Sequence, residues 1–254
     1  MIQDRLSIAG KNALVTGSSQ GIGQAIALAL AEFGANVIIH NRKGDEEARQ
    51  VAEQIQKKGG KSDVIGVNLL EPNAIDELFD QATKPFGPID ILVINASVQL
   101  PEDWDETTAD QFDTQVNANW KSTLLMMQRF APDMTQRGWG RILTIGSVQE
   151  EKPHPAMMVY AGTKAAVANT VRNLALQLAG KGVTVNNLSP GVIDTPRIKE
   201  PTPPVPEEIS QRMSIPVGSA GQPEDIAGMA VLLCSNAGRY VTGQTIFVDG
   251  GMSL

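Results

Sequence analysis

Cysteine, aromatic residues and basic clusters are all scarce in this sequence, and each shortage removes a class of protein. One cysteine, Cys234, in 254 residues excludes a disulfide framework and any cysteine-cluster metal site. The two histidines, His40 and His154, are too few to make a metal centre between them, so no metal is expected. Lysine and arginine number 21 against 28 acidic residues, a net charge of −7 with no basic run anywhere. That balance argues against a nucleic acid or an anionic membrane as partner. No stretch approaches the ~18 apolar residues of a membrane span, and the opening MIQDRLSIAGK lacks the apolar core of a signal peptide. The expectation is a soluble, cytoplasmic protein. Disorder is excluded as well, because 42% of the residues are hydrophobic and only 19% charged. A chain of this size buries roughly 70% of its surface on folding, enough for a large core.

What is present is a regular alternation. Short apolar runs at Ala13–Thr16, Asn36–His40, Asp63–Val67, Ile91–Asn95, Arg141–Ile145, Val183–Leu188 and Thr245–Val248 read as strands buried on both faces. Between them lie stretches with apolar residues three and four apart, such as Ile22, Ile26, Leu30 and Phe33 before Gly34, which read as helices. Seven strands separated by helices predict an α/β fold, a Rossmann-type doubly wound parallel sheet with helices on both faces, in a single domain over 1–254. One region breaks the rhythm. Residues 195–216 hold six of the fifteen prolines, which predicts a long loop with a short helix at Glu207–Met213, acting as a substrate-binding lid.

Two constellations carry chemistry. The first strand runs straight into Gly17-Ser18-Ser19-Gln20-Gly21-Ile22-Gly23. Small residues at the start of a helix let the backbone approach a pyrophosphate, and the free N–H groups there favour negative charge. The spacing G-x-x-x-G-x-G differs from the commoner dinucleotide fingerprint, and no Lys-Ser/Thr follows to make a P-loop. The second constellation begins at Ser147, at the carboxyl end of the fifth strand. Thirteen residues later come Tyr160 and Lys164, four apart and so on one helix face. An ammonium beside a tyrosine favours tyrosinate, which makes the phenol a usable general acid or base, and a serine hydroxyl can bind the same substrate oxygen.

With these landmarks in place, the chain resembles the short-chain dehydrogenase/reductase family from Lys11 to Val248-Asp249-Gly250-Gly251. The resemblance rests on Thr16-Gly17-x-x-x-Gly21-Ile22-Gly23, Asn95-Ala96, Asn117, Ser147, Tyr160-x-x-x-Lys164, Asn186 and Pro190-Gly191-x-Ile193-x-Thr195. It implies NAD(P)(H) and the reversible oxidation of a secondary alcohol to a ketone. Tyr160 would be the general acid/base, Lys164 would tune it and hold the nicotinamide ribose, and Ser147 would polarise the substrate oxygen. Asn117 would hold a water of the proton relay, leaving Asn119 a structural residue. Asn95 and Ala96 would line the adenosine side, with Pro190, Gly191, Ile193 and Thr195 around the nicotinamide and Asn186 bridging strands. The chain departs from the family at Ile94-Asn95-Ala96-Ser97, where Asn-Asn-Ala-Gly is usual, and at Asn68, where an aspartate near the adenine is common. The resemblance still implies that Asn68, accepting from the adenine amino group, and Leu69 bind the cofactor.

The second strand ends at His40-Asn41-Arg42-Lys43, and the first carboxylates follow only at Asp45, Glu46 and Glu47. An NAD-specific site places a carboxylate at this strand end. Arg42 could instead pair with a 2′-phosphate, helped by Ser18 or Ser19, so NADP(H) is the expected preference, with NAD(H) possible. Gln149, His154 and Met157, with Ser147 and Tyr160, are the expected substrate contacts. Gln99, Leu100, Trp104, Arg197, Ile198 and Lys199 should wall the same pocket. Sugars, polyols and 3-oxoacyl thioesters all remain admissible. The helical stretches Thr108–Arg137 and Val159–Ala179 carry surplus apolar residues, and the resemblance implies that such helices pair into a homotetramer, or a dimer. Two other functions remain open: a cofactor-binding sensor or scaffold without chemistry, and an epimerase or dehydratase acting on nucleotide sugars. The full Ser147, Tyr160, Lys164 and Asn117 set argues against the first. The short chain after Leu188 leaves no room for the second's substrate domain.

Overall fold

Strand β1 (Asn12–Thr16) is buried along its whole length, and everything else is arranged about it. The computed structural model describes residues 1–199 and 201–254. The chain runs α1 (Ile2–Leu6), β1, α2 (Gly21–Glu32), β2 (Asn36–Asn41), α3 (Glu46–Lys57), β3 (Lys61–Gly66), α4 (Ala74–Thr83) and β4 (Ile91–Ile94). It continues with α5 (Ala109–Val116), α6 (Ser122–Gln136), β5 (Gly140–Ile145), α7 (Met158–Leu178), β6 (Val183–Pro190), α8 (Glu207–Arg212), α9 (Pro223–Cys234) and β7 (Thr245–Val248). The strands form one parallel sheet in the order β3-β2-β1-β4-β5-β6-β7. All seven strands expected from the sequence are present. The order reverses direction between β1 and β4, and the crevice beyond the carboxyl ends of those strands is where open sheets of this kind bind ligands.

The period-two geometry of a strand divides the apolar residues between two cores. Ala13, Val15, Val37, Ile39, Ile91 and Val93 pack with α2, α3 and α9 on one face. Leu14, Ile38, Leu92, Ile94, Ile142 and Val185 pack with α4, α6 and α7 on the other. Both faces are covered, which is why the strands read as continuous apolar runs.

The stretch expected as one helix over Thr108–Arg137 is divided by a π-helical turn, Asn117–Lys121, between α5 and α6. The hydroxyls of Ser122 and Thr123 donate back to the carbonyls of Ala118 and Asn119, at 2.5 and 2.6 Å, an alternative partner that loosens the regular ladder. Single π turns of this kind recur at functional sites. In the proline-rich segment, α8 falls where the short helix was expected, after a 3₁₀ turn at Pro196–Lys199.

Candidate active site

The glycine loop is shaped by contacts that tolerate nothing larger. Gly17 has φ +63°, and a Cβ there would stand 2.9 Å from Ala96 Cα. At Gly23 a Cβ would fall on the Gly17 carbonyl oxygen and 2.5 Å from Asn95 Nδ2. Asn95 Nδ2 donates to the carbonyls of Thr16 (3.0 Å) and Gly17 (2.8 Å), stitching the end of β1 to the end of β4. His40 supports the loop from below: its Nδ1 accepts from Gly17 N at 3.3 Å and its Nε2 bonds the Val67 carbonyl at 3.0 Å. Burial lowers its pKa from 6.5 to about 4, so the ring is neutral. The resulting cleft, about 250 Å³, is lined by Gly17, Ser19, Gly21, Ile22, Gly23, Asn95, Ala96 and Thr195. This cradle of bare backbone at the start of α2 fits a dinucleotide's phosphates.

A second cavity of about 320 Å³ shares Ile22, Asn95, Ser97, Thr195 and Arg197 with that cleft, so the two are continuous. Ser147, Gln149, His154, Met157, Tyr160, Lys164, Pro190, Gly191 and Ile193 all line it. Ser147 stands just beyond β5, with its hydroxyl accepting from Gln149 N at 3.2 Å. Tyr160 and Lys164 are buried in the first turns of α7. Lys164 Nζ donates to the Ile145 carbonyl at 2.6 Å and lies 5.5 Å from the centre of the Tyr160 ring. Burial lowers the Lys164 pKa; Tyr160 and Glu150 act against burial, and Arg197 acts with it. His154 caps the short turn Pro155–Met157 by accepting from Ala156 N, and burial lowers its pKa too. The backbone about Ile193 pairs with Gly221 through Val192 and Asp194, which leaves the N–H and carbonyl of Ile193 turned from Gly221.

Other expected residues are placed differently. Asn117 lines a separate cavity of about 660 Å³ with Leu69, Leu70, Lys121 and Arg129, and the structure does not bring it to Ser147, Tyr160 and Lys164. Asn119, two residues on, is buried instead. It exchanges hydrogen bonds with the Val98 backbone (2.7 and 2.8 Å) and donates to Thr163 Oγ1 at 3.1 Å. Ser18 is fully buried and committed to Val15 O and His40 N, so its hydroxyl serves the loop rather than a phosphate. Asn41 is likewise committed, to the N–H groups of Lys43 and Gly44 and to Asp45. Asn68 bonds Glu71 and the Leu70 N–H. Asn186 bridges to Val241 and Gln244, a structural role as expected. Trp104 is 73% exposed, and neither it nor Leu100 lines the 320 Å³ cavity, whereas Gln99, Arg197 and Ile198 do. The side chain of Lys199 lies outside the described residues.

Glu150 is the residue sequence reasoning missed. Its carboxylate accepts from Ser147 N (2.9 Å), Asn187 Nδ2 (3.0 Å) and Ser189 Oγ (3.0 Å). Burial raises its pKa, opposed by those three donors and by Lys164. A Cβ on Gly146 would strike this carboxylate, so the glycine and the glutamate are required together. The signal was there to read: Ser147-x-x-Glu150 is a capping box.

Among the described residues no group of three or more His, Cys, Asp or Glu side chains could hold a metal ion. No described helix is long and apolar enough to cross a membrane. The fold and this site together define a nucleotide-dependent enzyme of the Rossmann type.

Comparison with known proteins narrows the class. The family described as Enoyl-(Acyl carrier protein) reductase matches residues 17–253. A 3-oxoacyl (acyl-carrier-protein) reductase from Agrobacterium tumefaciens, solved with NADP, superposes with a TM-score of 0.91 at 38% identity, covering 99% of this chain and 97% of that one. A 7α-hydroxysteroid dehydrogenase complexed with NADH and 7-oxo glycochenodeoxycholic acid gives 0.90 at 35%, over 98% and 96%. A gluconate 5-dehydrogenase from Burkholderia cenocepacia, in complex with NADP and tartrate, gives 0.89 at 32%, over 100% and 99%. The chain belongs to the short-chain dehydrogenase/reductase family of NAD(P)-dependent oxidoreductases acting on CH–OH groups.

Proposed function

We propose that this protein interconverts a secondary alcohol and a ketone, with Ser147, Tyr160 and Lys164 as its catalytic residues. The observation that carries the reading is the convergence of those three on one cavity that opens into the glycine-loop cleft. A nicotinamide cofactor, when bound, supplies the hydride acceptor or donor. Ser147 holds the substrate oxygen by its hydroxyl, and Tyr160 gives that oxygen its proton in reduction or takes it in oxidation. Lys164, fixed by the Ile145 carbonyl, stabilises the charge left on the phenolate and offers its remaining donors to the ribose. Asn119 takes the place the resemblance gave to Asn117, as a positioning residue. Through Thr163, whose hydroxyl donates to the Tyr160 carbonyl at 2.7 Å, it locks the start of α7 to the segment after β4. Residues 195–216 act as the lid, since Thr195, Arg197, Ile198, Thr202 and Met213 border the cavity. Loss of reduced-nicotinamide absorbance with 3-oxoacyl thioesters, steroid ketones, keto sugars and small keto acids tests this reading, and activity with none of them contradicts it.

NADP(H) is the preferred cofactor in this reading. The Asn41 side chain shapes a turn that leaves Arg42 exposed beside the end of β2. Asp45, the nearest carboxylate in sequence, is occupied by Asn41 Nδ2 and by capping Ala48 N. With Ser18 committed, Ser19 is the loop hydroxyl that can join Arg42 at a 2′-phosphate. A charge-assisted contact of ~1.5–3 kcal/mol predicts a preference of roughly ten- to a hundredfold in kcat/KM. Arg42→Ala should raise KM for NADPH and leave that for NADH almost unchanged, and equal efficiency with NADH in the unmutated protein would overturn the assignment.

The working assembly is a homotetramer. Val167 and Val171 turn out to be buried, Val171 in the sheet core, whereas Trp120 (41% exposed), Leu124 (38%) and Leu125 (39%) remain on the surface. Apolar residues clustered along the π turn and α6 suit a symmetric partner surface. Light scattering should give the mass of four chains at micromolar concentration; a monomer would contradict the assembly.

A further inference from the structure

Arg197 is the feature of the cavity that the reaction leaves unused. Its two terminal nitrogens donate to Ser97 Oγ at 2.9 Å and to the Ser97 carbonyl at 2.8 Å, where the family pattern has glycine. Those bonds hold one edge of the guanidinium against the end of β4. A guanidinium carries five N–H donors, so three remain beyond these two bonds, and Arg197 borders the cavity that Ser147, Tyr160 and Lys164 line. Its charge reaches the reacting end, since Arg197 adds to burial in lowering the Lys164 pKa.

The charged side chains among the described residues lining that cavity are of one sign. The chain has 28 acidic residues, yet no aspartate or glutamate is among the described residues lining the cavity. Glu150 lies behind Ser147 with its oxygens occupied by Ser147, Asn187 and Ser189. Lys164 donates to the Ile145 carbonyl beside Tyr160, and its role lies with the tyrosine and the ribose. Among the described residues Arg197 forms no ion pair, and a half-buried cation without a counter-charge is a cost that an anionic ligand offsets. The glycine loop and the start of α2 already provide for a dinucleotide's phosphates. Arg197 lines the glycine-loop cleft as well as the cavity of Ser147, Tyr160 and Lys164, so it sits where the two join.

We propose that the natural substrate is a small hydroxy acid or its keto counterpart, and that Arg197 binds its carboxylate in a fork geometry. The proposal rests on the alcohol–ketone reading above, and names the substrate class of that site. A cavity of about 320 Å³ is near the lower end of small-molecule sites, which suits a compact acid.

Calorimetry on the protein saturated with NADP⁺ tests it without relying on turnover. Matched pairs differing in charge serve as probes: gluconate against sorbitol, and 3-hydroxybutyrate against 1,3-butanediol. At least one acid should bind tenfold or more tighter than its neutral counterpart. Arg197→Met should reduce that ratio below about threefold while leaving the dissociation constant of NADP⁺ within twofold. Arg197→Lys, which keeps the charge and loses the fork, should fall between and guards against a folding failure in the first variant. Equal binding within both pairs, or no binding of either acid, overturns the proposal. So does an Arg197→Met variant that weakens NADP⁺ and spares the acid, since the guanidinium would then serve the cofactor's diphosphate. Failure of the alcohol–ketone reading shows differently, as Arg197-dependent binding of an acid that is never oxidised.

Discussion

Tyr160→Phe should lower kcat by about a hundredfold to ten-thousandfold, the range for a single general acid or base, and leave cofactor affinity within a factor of about two. Tyr160 is buried at the first turn of α7, where the ring fills space that phenylalanine fills equally well. Only the hydroxyl is lost. Lys164 keeps its bond to the Ile145 carbonyl and the glycine loop is untouched, so cofactor titration by fluorescence should show no change. A loss in kcat smaller than about tenfold would mean that the proton comes from another group, with His154, on the same cavity wall, the first to examine.

Acid should weaken the fold through His40 by a calculable amount. The ring is neutral in the folded protein, with a pKa of about 4 against 6.5 in the unfolded chain. Below pH 6.5 the unfolded state takes up a proton that the folded state refuses. Stability that is fully present above that pH is therefore lost as the pH falls toward 4. The loss amounts to about 2 kcal/mol by pH 5 and about 3 kcal/mol by pH 4. Urea midpoints at pH 7 and pH 5, measured on the protein and on His40→Gln, isolate this contribution as a difference of slopes. The variant should lose about 2 kcal/mol less than the parent over that interval; equal losses would remove His40 from the account. Once protonated, Nδ1 can no longer accept from Gly17 N, so cofactor affinity should weaken over the same range.

Much of this was legible in the sequence because it is local. The turn from β1 into α2 follows from three glycines, of which Gly17 needs a left-handed φ and Gly23 a backbone contact no side chain would permit. Tyr160 and Lys164 meet because four residues make about one helical turn. Asn117 and Asn119 could not be told apart in this way. They sit on nearly opposite sides of one helical segment, and only the position of Val98 and Thr163, distant in sequence, decides which is buried. The π turn between α5 and α6 shifts that register further, and apolar spacing does not announce it. Ser18 was misread for the same reason, as its acceptor role toward His40 N depends on the pairing of β1 with β2. Arg197 and Ser97 are one hundred residues apart, and neither points to the other. Asn41 and Glu150 are different, since an Asx turn and a capping box are local motifs that the sequence displays.

Label transfer tests the central claim most directly. The protein is mixed with NADPH deuterated at the transferable position of nicotinamide C4 and with a ketone of the class it accepts, and the alcohol formed is analysed by mass spectrometry. One deuterium bound to the carbinol carbon is the predicted result, with the labelled alcohol formed at least about a hundredfold more slowly by Tyr160→Phe. A protein that binds NADPH yet yields no alcohol from any ketone, or an alcohol without the label, would contradict the assignment of an oxidoreductase and leave a binding protein in its place.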